Sequence, residues 1–433
     1  MYVRTTLKFH LVRWLLILIT SFPLPLDRCY AQVIERLGLK TAIDEAVTHN
    51  VSLKAIEYEI SAAEGDISTA GLRPNPNLTL IGDILPSNGL GPADKYYGAS
   101  LSLPFELGGK REARLKYAHL QHDLSELRYE DAIRQTVYAV KASYLDLVTA
   151  LEKAAVAEEN LALFDSLVSL DRIRVAGQEI AEVDLTRTEV EREKISLEAM
   201  ASQEQSRAVA TSLSMLLGRK IQNESILIQP DTTLLSTLTL KADVLLPAMD
   251  SLMSIALAQR SDIRALAKAE EASKAQLELQ KSLAAIDLTV SLDANRQQGT
   301  TFWGASFSAP LPFFDRHQGE IEKAEALSSE AQTQTNAAIL QLRAEIASAL
   351  SDANTKRLSL VKLRDNIIQK SKSVRISVEY SYRRGSTSLI DFLDAIRTEN
   401  ELHQLFVDAL EAYAKSLITL DYLIGKDILY AVQ

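Results

Sequence analysis

From Tyr117 to Val175, and again from Gln318 to Tyr382, the chain runs without a proline and is built largely of Ala, Leu, Glu, Lys, Gln and Arg. These residues cost least in a helix. Val137, Val140, Tyr144, Leu147 and Leu151 recur at spacings of three and four, as do Ile339, Leu342, Ile346, Ala349 and Ala353, which is the seam of a coiled coil. At about 1.5 Å per residue, each stretch makes a rod on the order of 90 Å. Gly177 and Gly385 then interrupt the pattern, and a second helix runs back to Leu-Leu-Gly at 216–218 or Leu-Ile-Gly at 423–425. Gly177 reads as a helix C-cap. Both glycines mark the far tips of long helical hairpins.

The two hairpins belong to a duplication. Residues 45–55 resemble 255–265 at an offset of 210, and Leu-Thr-Leu at 78–80 matches Leu-Thr-Val at 288–290 at the same offset; later matches fall at 206 to 208. Ordered self-similarity of this kind signals repeated structural units. Between these points the period changes to two. Tyr97, Ala99, Leu101 and Leu103 alternate with Gly98, Ser100 and Ser102; Leu288, Val290 and Leu292 with Thr289, Ser291 and Asp293; Trp303, Ala305, Phe307 and Ala309 with Gly304, Ser306 and Ser308. Such strands suit lipid on one face and water on the other, or a half-exposed sheet on a soluble core. Residues 86–95 and 294–301 read as hairpin loops.

The repeats are expected at 32–230 and 231–433, with strands near 78–84 and 97–103, then 288–294 and 301–309, and helical hairpins near 110–218 and 316–425. Residues 1–31 read as a secretory signal peptide: Arg4, Lys8 and Arg13 precede an apolar run, and Pro23 and Pro25 follow it. Cleavage is expected before Gln32, without a lipid on Cys29. That residue is the single cysteine, so the exported chain would have no disulfide and no thiolate site. The formal charge of −10 includes a leader carrying about +3, which leaves the remainder near −13. Nucleic acid is an unsuitable partner for such a chain.

Four segments, RPNPNLTL (73–80), LSLPFELGGKREARLKYA (101–118), VAGQEIAEVDLTRTEVE (175–191) and YRRGSTSLIDFLDAIRTENEL (382–402), resemble in order the TolC-like outer-membrane efflux protein family. The likeness extends over roughly 40–425 and is nearest to the branch serving heavy-metal or cation pumps of the resistance-nodulation-division (RND) class. The fold it implies is an α+β membrane protein: a homotrimer whose four strands per subunit close a twelve-stranded β-barrel in outer-membrane lipid, continued by a periplasmic coiled-coil tunnel. The function it implies is a passive exit duct for metal cations or small toxic compounds, delivered by an RND pump through a periplasmic adaptor. A type I secretion or multidrug exit is the neighbouring alternative. A soluble periplasmic coiled-coil scaffold is the alternative from another class.

Asp391 and Asp394, three apart in LIDFLDA, fall by this resemblance on the family's constriction aspartates, so a trimer would carry two stacked acidic rings. Rings of this kind favour cations. The plainer reading is that Asp391 favours a helix N-terminus. Tyr382 matches a tip position in the family's closing network, whereas Thr387 stands where a basic residue supports closure. Glu179, Glu182 and Asp184 are expected at the first tip, at an acidic entrance or on a solvated turn. No catalytic motif of the common hydrolase, kinase or dinucleotide-binding kinds is present, and no enzyme activity, cofactor or metal site is assigned. His119 and His122 are near enough on a helix to share a surface metal, but no further ligand stands out beside them. Arg111, Arg114 and Lys116 are placed near the inner membrane surface.

Overall fold

A computed structural model describes residues 34–85, 94–219, 227–231, 233–297 and 299–427. The signal-peptide reading, and residues 86–93 of the first strand-to-strand connection, lie outside them. The chain begins with strand β1 (Ile34–Leu37), helices α1 (Leu39–His49) and α2 (Val51–Ala70), strands β2 (Asn77–Leu85) and β3 (Asp94–Phe105), and helices α3 (Lys110–Ala176) and α4 (Glu182–Leu216). The succession returns, with one added short helix and the outgoing long helix divided in two, as β4 (Leu227–Pro230), α5 (Thr233–Lys241), α6 (Met249–Gln259), α7 (Ser261–Leu283), β5 (Leu288–Gln297), β6 (Thr300–Ser308), α8 (Gln318–Leu363), α9 (Gln369–Arg383) and α10 (Leu389–Ile424). A single π-helical turn, Arg364–Ile368, joins α8 to α9. No helix is long and apolar enough to cross a membrane among the described residues.

α3 holds 67 residues without a break, about 100 Å at 1.5 Å per residue. Its buried side chains include Val140, Tyr144 and Leu147 of the expected seam, and on α8 Leu342, Ile346 and Ala353 are buried in the same way. Tyr144 ties the long helix to the segments that open the two halves of the chain. Its hydroxyl donates to the Leu37 carbonyl at 2.8 Å and accepts from the Asp231 amide at 2.8 Å, which fixes the small parallel ribbon of β1 and β4 against α3. Gly218, just past α4, lies at φ 73°, and a Cβ there would come within 2.4 Å of the His49 carbonyl oxygen. Glycine is required there on both counts.

The other sheet is antiparallel, in the order β2-β3-β5-β6. Its register puts like with like: Leu78 faces Leu101, Leu101 faces Leu292, Leu292 faces Ala305, and Val290 lies between Leu103 and Phe307. That apolar face is open in the single chain, with Leu80 73 %, Phe307 72 % and Trp303 83 % exposed. A soluble core would bury it. On the opposite face the Ser102 and Ser291 hydroxyls lie 2.9 Å apart and Tyr96 donates to Asn295 Oδ1 at 2.8 Å.

Residues 294–301 are a correction. β5 continues to Gln297 and β6 begins at Thr300, directly paired with it, so the connection is only 298–299. The polar run Asn295-Arg296-Gln297 has the composition of a loop, yet its backbone pairs with Tyr96, Tyr97 and Gly98 of the longer β3. The hydrogen-bonding partner overrides local preference.

Candidate functional site

The tips of the two helical hairpins are built by the same backbone device. The Gln178 amide donates to Val175 and that of Glu179 to Arg174; Gly385 donates to Tyr382 and Ser386 to Ser381. Each is a Schellman closure around one left-handed residue. That residue is Gln178 at φ 60° in the first tip and Gly385 at φ 73° in the second. Gly177 itself is right-handed at φ −80°, so the glycine that sequence marks as the turn in the first hairpin stands one place before it.

The return helices begin 207 residues apart, α4 at 182 and α10 at 389. α10 is capped: Ser388 Oγ accepts from the Asp391 amide at 3.2 Å and donates to Asp391 Oδ2 at 2.6 Å. Ala181, at the start of α4, makes no side-chain cap. The capping explanation of Asp391 is therefore present in the geometry. It does not extend to Asp394, which lies one turn further on, exposed like Asp391. At the same register in the first hairpin stand Asp184 and Arg187, whose charges compensate at 3.7 Å. Of the other acidic residues of that turn, Glu182 is exposed and Glu179 pairs with Arg174 at 3.4 Å.

Beneath the tips the hairpins are joined by a core of Phe164, Leu167, Ile195, Tyr382, Leu389, Phe392 and Ile396. Tyr382 stacks on Phe392 with ring centroids 5.1 Å apart, and its hydroxyl donates to Asp171 Oδ1 at 2.8 Å. The other oxygen of Asp171 accepts from Thr188 at 2.8 Å. This carboxylate is fully buried and links α3, α4 and α9. The Arg174 guanidinium lies 5.1 Å from the Tyr382 ring centre. Burial, then the hydrogen bond to Asp171 and its negative charge, push the Tyr382 phenol well above its ordinary value, against the opposing pull of Arg174. Sequence reading found Tyr382 and missed Asp171 and Thr188. The signal available was weak: a lone Asp in a helical run, with its tyrosine partner 211 residues away.

The basic residues after β3 are occupied at the strand-to-helix junction. Arg114 forks onto Glu106 at 2.5 and 2.8 Å, Arg111 donates to the Gly71 carbonyl at 2.6 Å, and Lys116 pairs with Glu278 at 2.6 Å. They anchor α3 to the end of α2, to β3 and to α7. His122 groups with Asp123 and Glu126.

The family described as outer membrane efflux protein matches residues 42–219 and 252–426, both hairpins included. The chain belongs to the outer membrane efflux protein family. Its members are channels of the outer membrane that serve export, and this chain is one of them. Among curated relatives, the cobalt-zinc-cadmium resistance protein CzcC of Cupriavidus metallidurans is 25 % identical over 398 residues, 90 % of each chain. The nickel and cobalt resistance protein CnrC of the same organism is 25 % identical over 303 residues, 68 % of each chain. Among solved structures, the open state of the Neisseria gonorrhoeae MtrE outer membrane channel superposes with a TM-score of 0.72 at 18 % identity, covering 90 % of this chain and 89 % of that one. At that identity the likeness carries the fold.

Proposed function

We propose that this efflux protein is the outer-membrane exit duct of a tripartite system that expels divalent metal cations, fed by an RND pump through a periplasmic adaptor. The observation that carries the duct is the sheet. Its apolar face is open, and β2 and β6 are each paired on one side only among the described residues. Unpaired strand edges are not tolerated in lipid. Three copies joined edge to edge give a closed barrel of twelve strands, and the helical hairpins continue it as a tunnel across the periplasm. In this reading the two repeats, 32–230 and 231–433, follow a signal peptide at 1–31. Metal cargo is favoured over a secretion or multidrug exit by the resistance named in CzcC and CnrC. A soluble scaffold would leave the row from Leu80 to Trp303 without a cover.

The gate sits at the second tip. Asp391 and Asp394 form two acidic rings around the pore, Tyr382 locks the tip through Asp171, and the turns at Gly177 and Gly385 mark the end that meets the adaptor. The test is the purified protein in detergent and in planar bilayers. A trimer that resists mild detergent denaturation and carries ion current supports the duct. A chain that is soluble without detergent and carries no current rejects it.

A further inference from the structure

On the flank of α3 that faces α7 stand three side chains that the gate does not use, His122 and Asp123 half-buried and Glu126 exposed. His122 and Glu126 are four residues apart on α3 and share a face of the helix, with Asp123 beside them. Each offers one ligand atom, and these atoms lie within 4.8 Å of one another. The His122 side chain is recessed at 19 % exposure, and its Nδ1 stands 3.9 Å from Asp123 Oδ1, too far for a hydrogen bond. Among the described residues neither the His122 ring nor the Glu126 carboxylate is tied down by a hydrogen bond. Lys268 of α7 reaches across, with Nζ 3.5 Å from Asp123 Oδ2 and 2.9 Å from Glu271 Oε2.

We propose that His122, Asp123 and Glu126 form an exchangeable binding site for one divalent transition-metal ion, with Lys268 as a built-in competitor for the same carboxylate. One imidazole nitrogen and two carboxylate oxygens suit zinc, cobalt or nickel; there is no thiolate for copper(I), and a site for magnesium or calcium would be all oxygen. The ion displaces the ammonium from Asp123, and the ammonium keeps Glu271 as its partner. Such a site loads and unloads readily, because its resident cation returns when the metal leaves. The inference goes beyond the exit-duct reading and stands or falls separately from it.

The test titrates the full-length mature protein in detergent, purified through a tag without histidine, with zinc by calorimetry and with cobalt by its visible absorption. One ion per chain is expected in the wild type. His122→Gln and Glu126→Gln each weaken binding by about tenfold or more, a loss of the size common at metal sites, and the cobalt spectrum loses its nitrogen ligand in the first. His119→Gln leaves both readouts unchanged. Lys268→Gln tightens binding by about tenfold, since it removes a positive charge within a few ångströms of the ion. Trimer assembly is checked in every variant by size. Binding that ignores His122→Gln, or no stoichiometric binding in either the wild type or Lys268→Gln, overturns the proposal.

Discussion

In the first tip the left-handed residue is Gln178, the return helix starts uncapped at Ala181, and Asp184 is balanced by Arg187; in the second the same places hold Gly385, Ser388, Asp391 and Asp394. The two hydrogen bonds that close the turn are the same in both. The geometry of the turn is thus shared while the side chains differ. The first hairpin supplies the buried acceptor, Asp171, and a charge-balanced end. The second supplies the stacked Tyr382 ring and two exposed acids with no opposite charge at the matching register.

Paired substitutions at equivalent places test this division. Tyr382→Ala removes a buried ring from the tip core and is expected to cost about 3–5 kcal/mol of local stability. Val175→Ala, the equivalent place in the first hairpin, is expected to cost about 1 kcal/mol or less. Amide hydrogen exchange across residues 164–196 and 378–396 reads both. Equal losses would break the asymmetry. Asp171→Ala leaves the Tyr382 hydroxyl buried without its acceptor, while Thr188 keeps the Asp184 carbonyl at 3.1 Å, at about 1–3 kcal/mol, and single-channel recordings should show a tip that opens more often. Gly385→Ala costs about 1–2 kcal/mol because an L-residue strains the left-handed turn, while Gln178→Gly relieves the same strain in the first tip. Thermal melting of the two variants should shift in opposite directions. Ser388→Ala is expected to cost about 1 kcal/mol, and Ala181→Ser to add slightly less than that.

Raising the pH sharpens the comparison from another side. The tyrosine's folded value is raised, so the neutral phenol stabilises the tip below the ordinary tyrosine range, near pH 10. That contribution is lost as the pH climbs through the raised value. Exchange at the second tip should accelerate above about pH 10 in the wild type more than in Tyr382→Phe.

Much of the architecture is legible in the sequence because it rests on period. Alternation at Tyr97–Leu103 and Trp303–Ala309 marks strands, and proline-free runs with seams at Val140 and Leu342 mark the long helices. What stays hidden depends on partners distant in sequence or on features without a compositional mark. The four-residue β1 and β4 exist because they pair with each other, 193 positions apart at Ile34 and Leu227. The π-turn at Arg364–Ile368 contains neither proline nor glycine. Residues 294–297 and 300–301 have loop composition and strand pairing. At the site, Tyr382 is legible from its motif, but the burial of Asp171 is a property of three helices meeting. Asp123 and Glu126 stand at +1 and +4 from His122, a spacing that the sequence itself carries.

The most direct measurement is the reversal potential of single channels in a planar bilayer under a salt gradient, for the wild type, for Asp391→Asn/Asp394→Asn and for Asp184→Asn. A cation preference that collapses in the double variant and survives Asp184→Asn is the expected result. Current with no cation preference, or a preference that the double variant retains, would contradict the assignment of the acidic gate to the second tip.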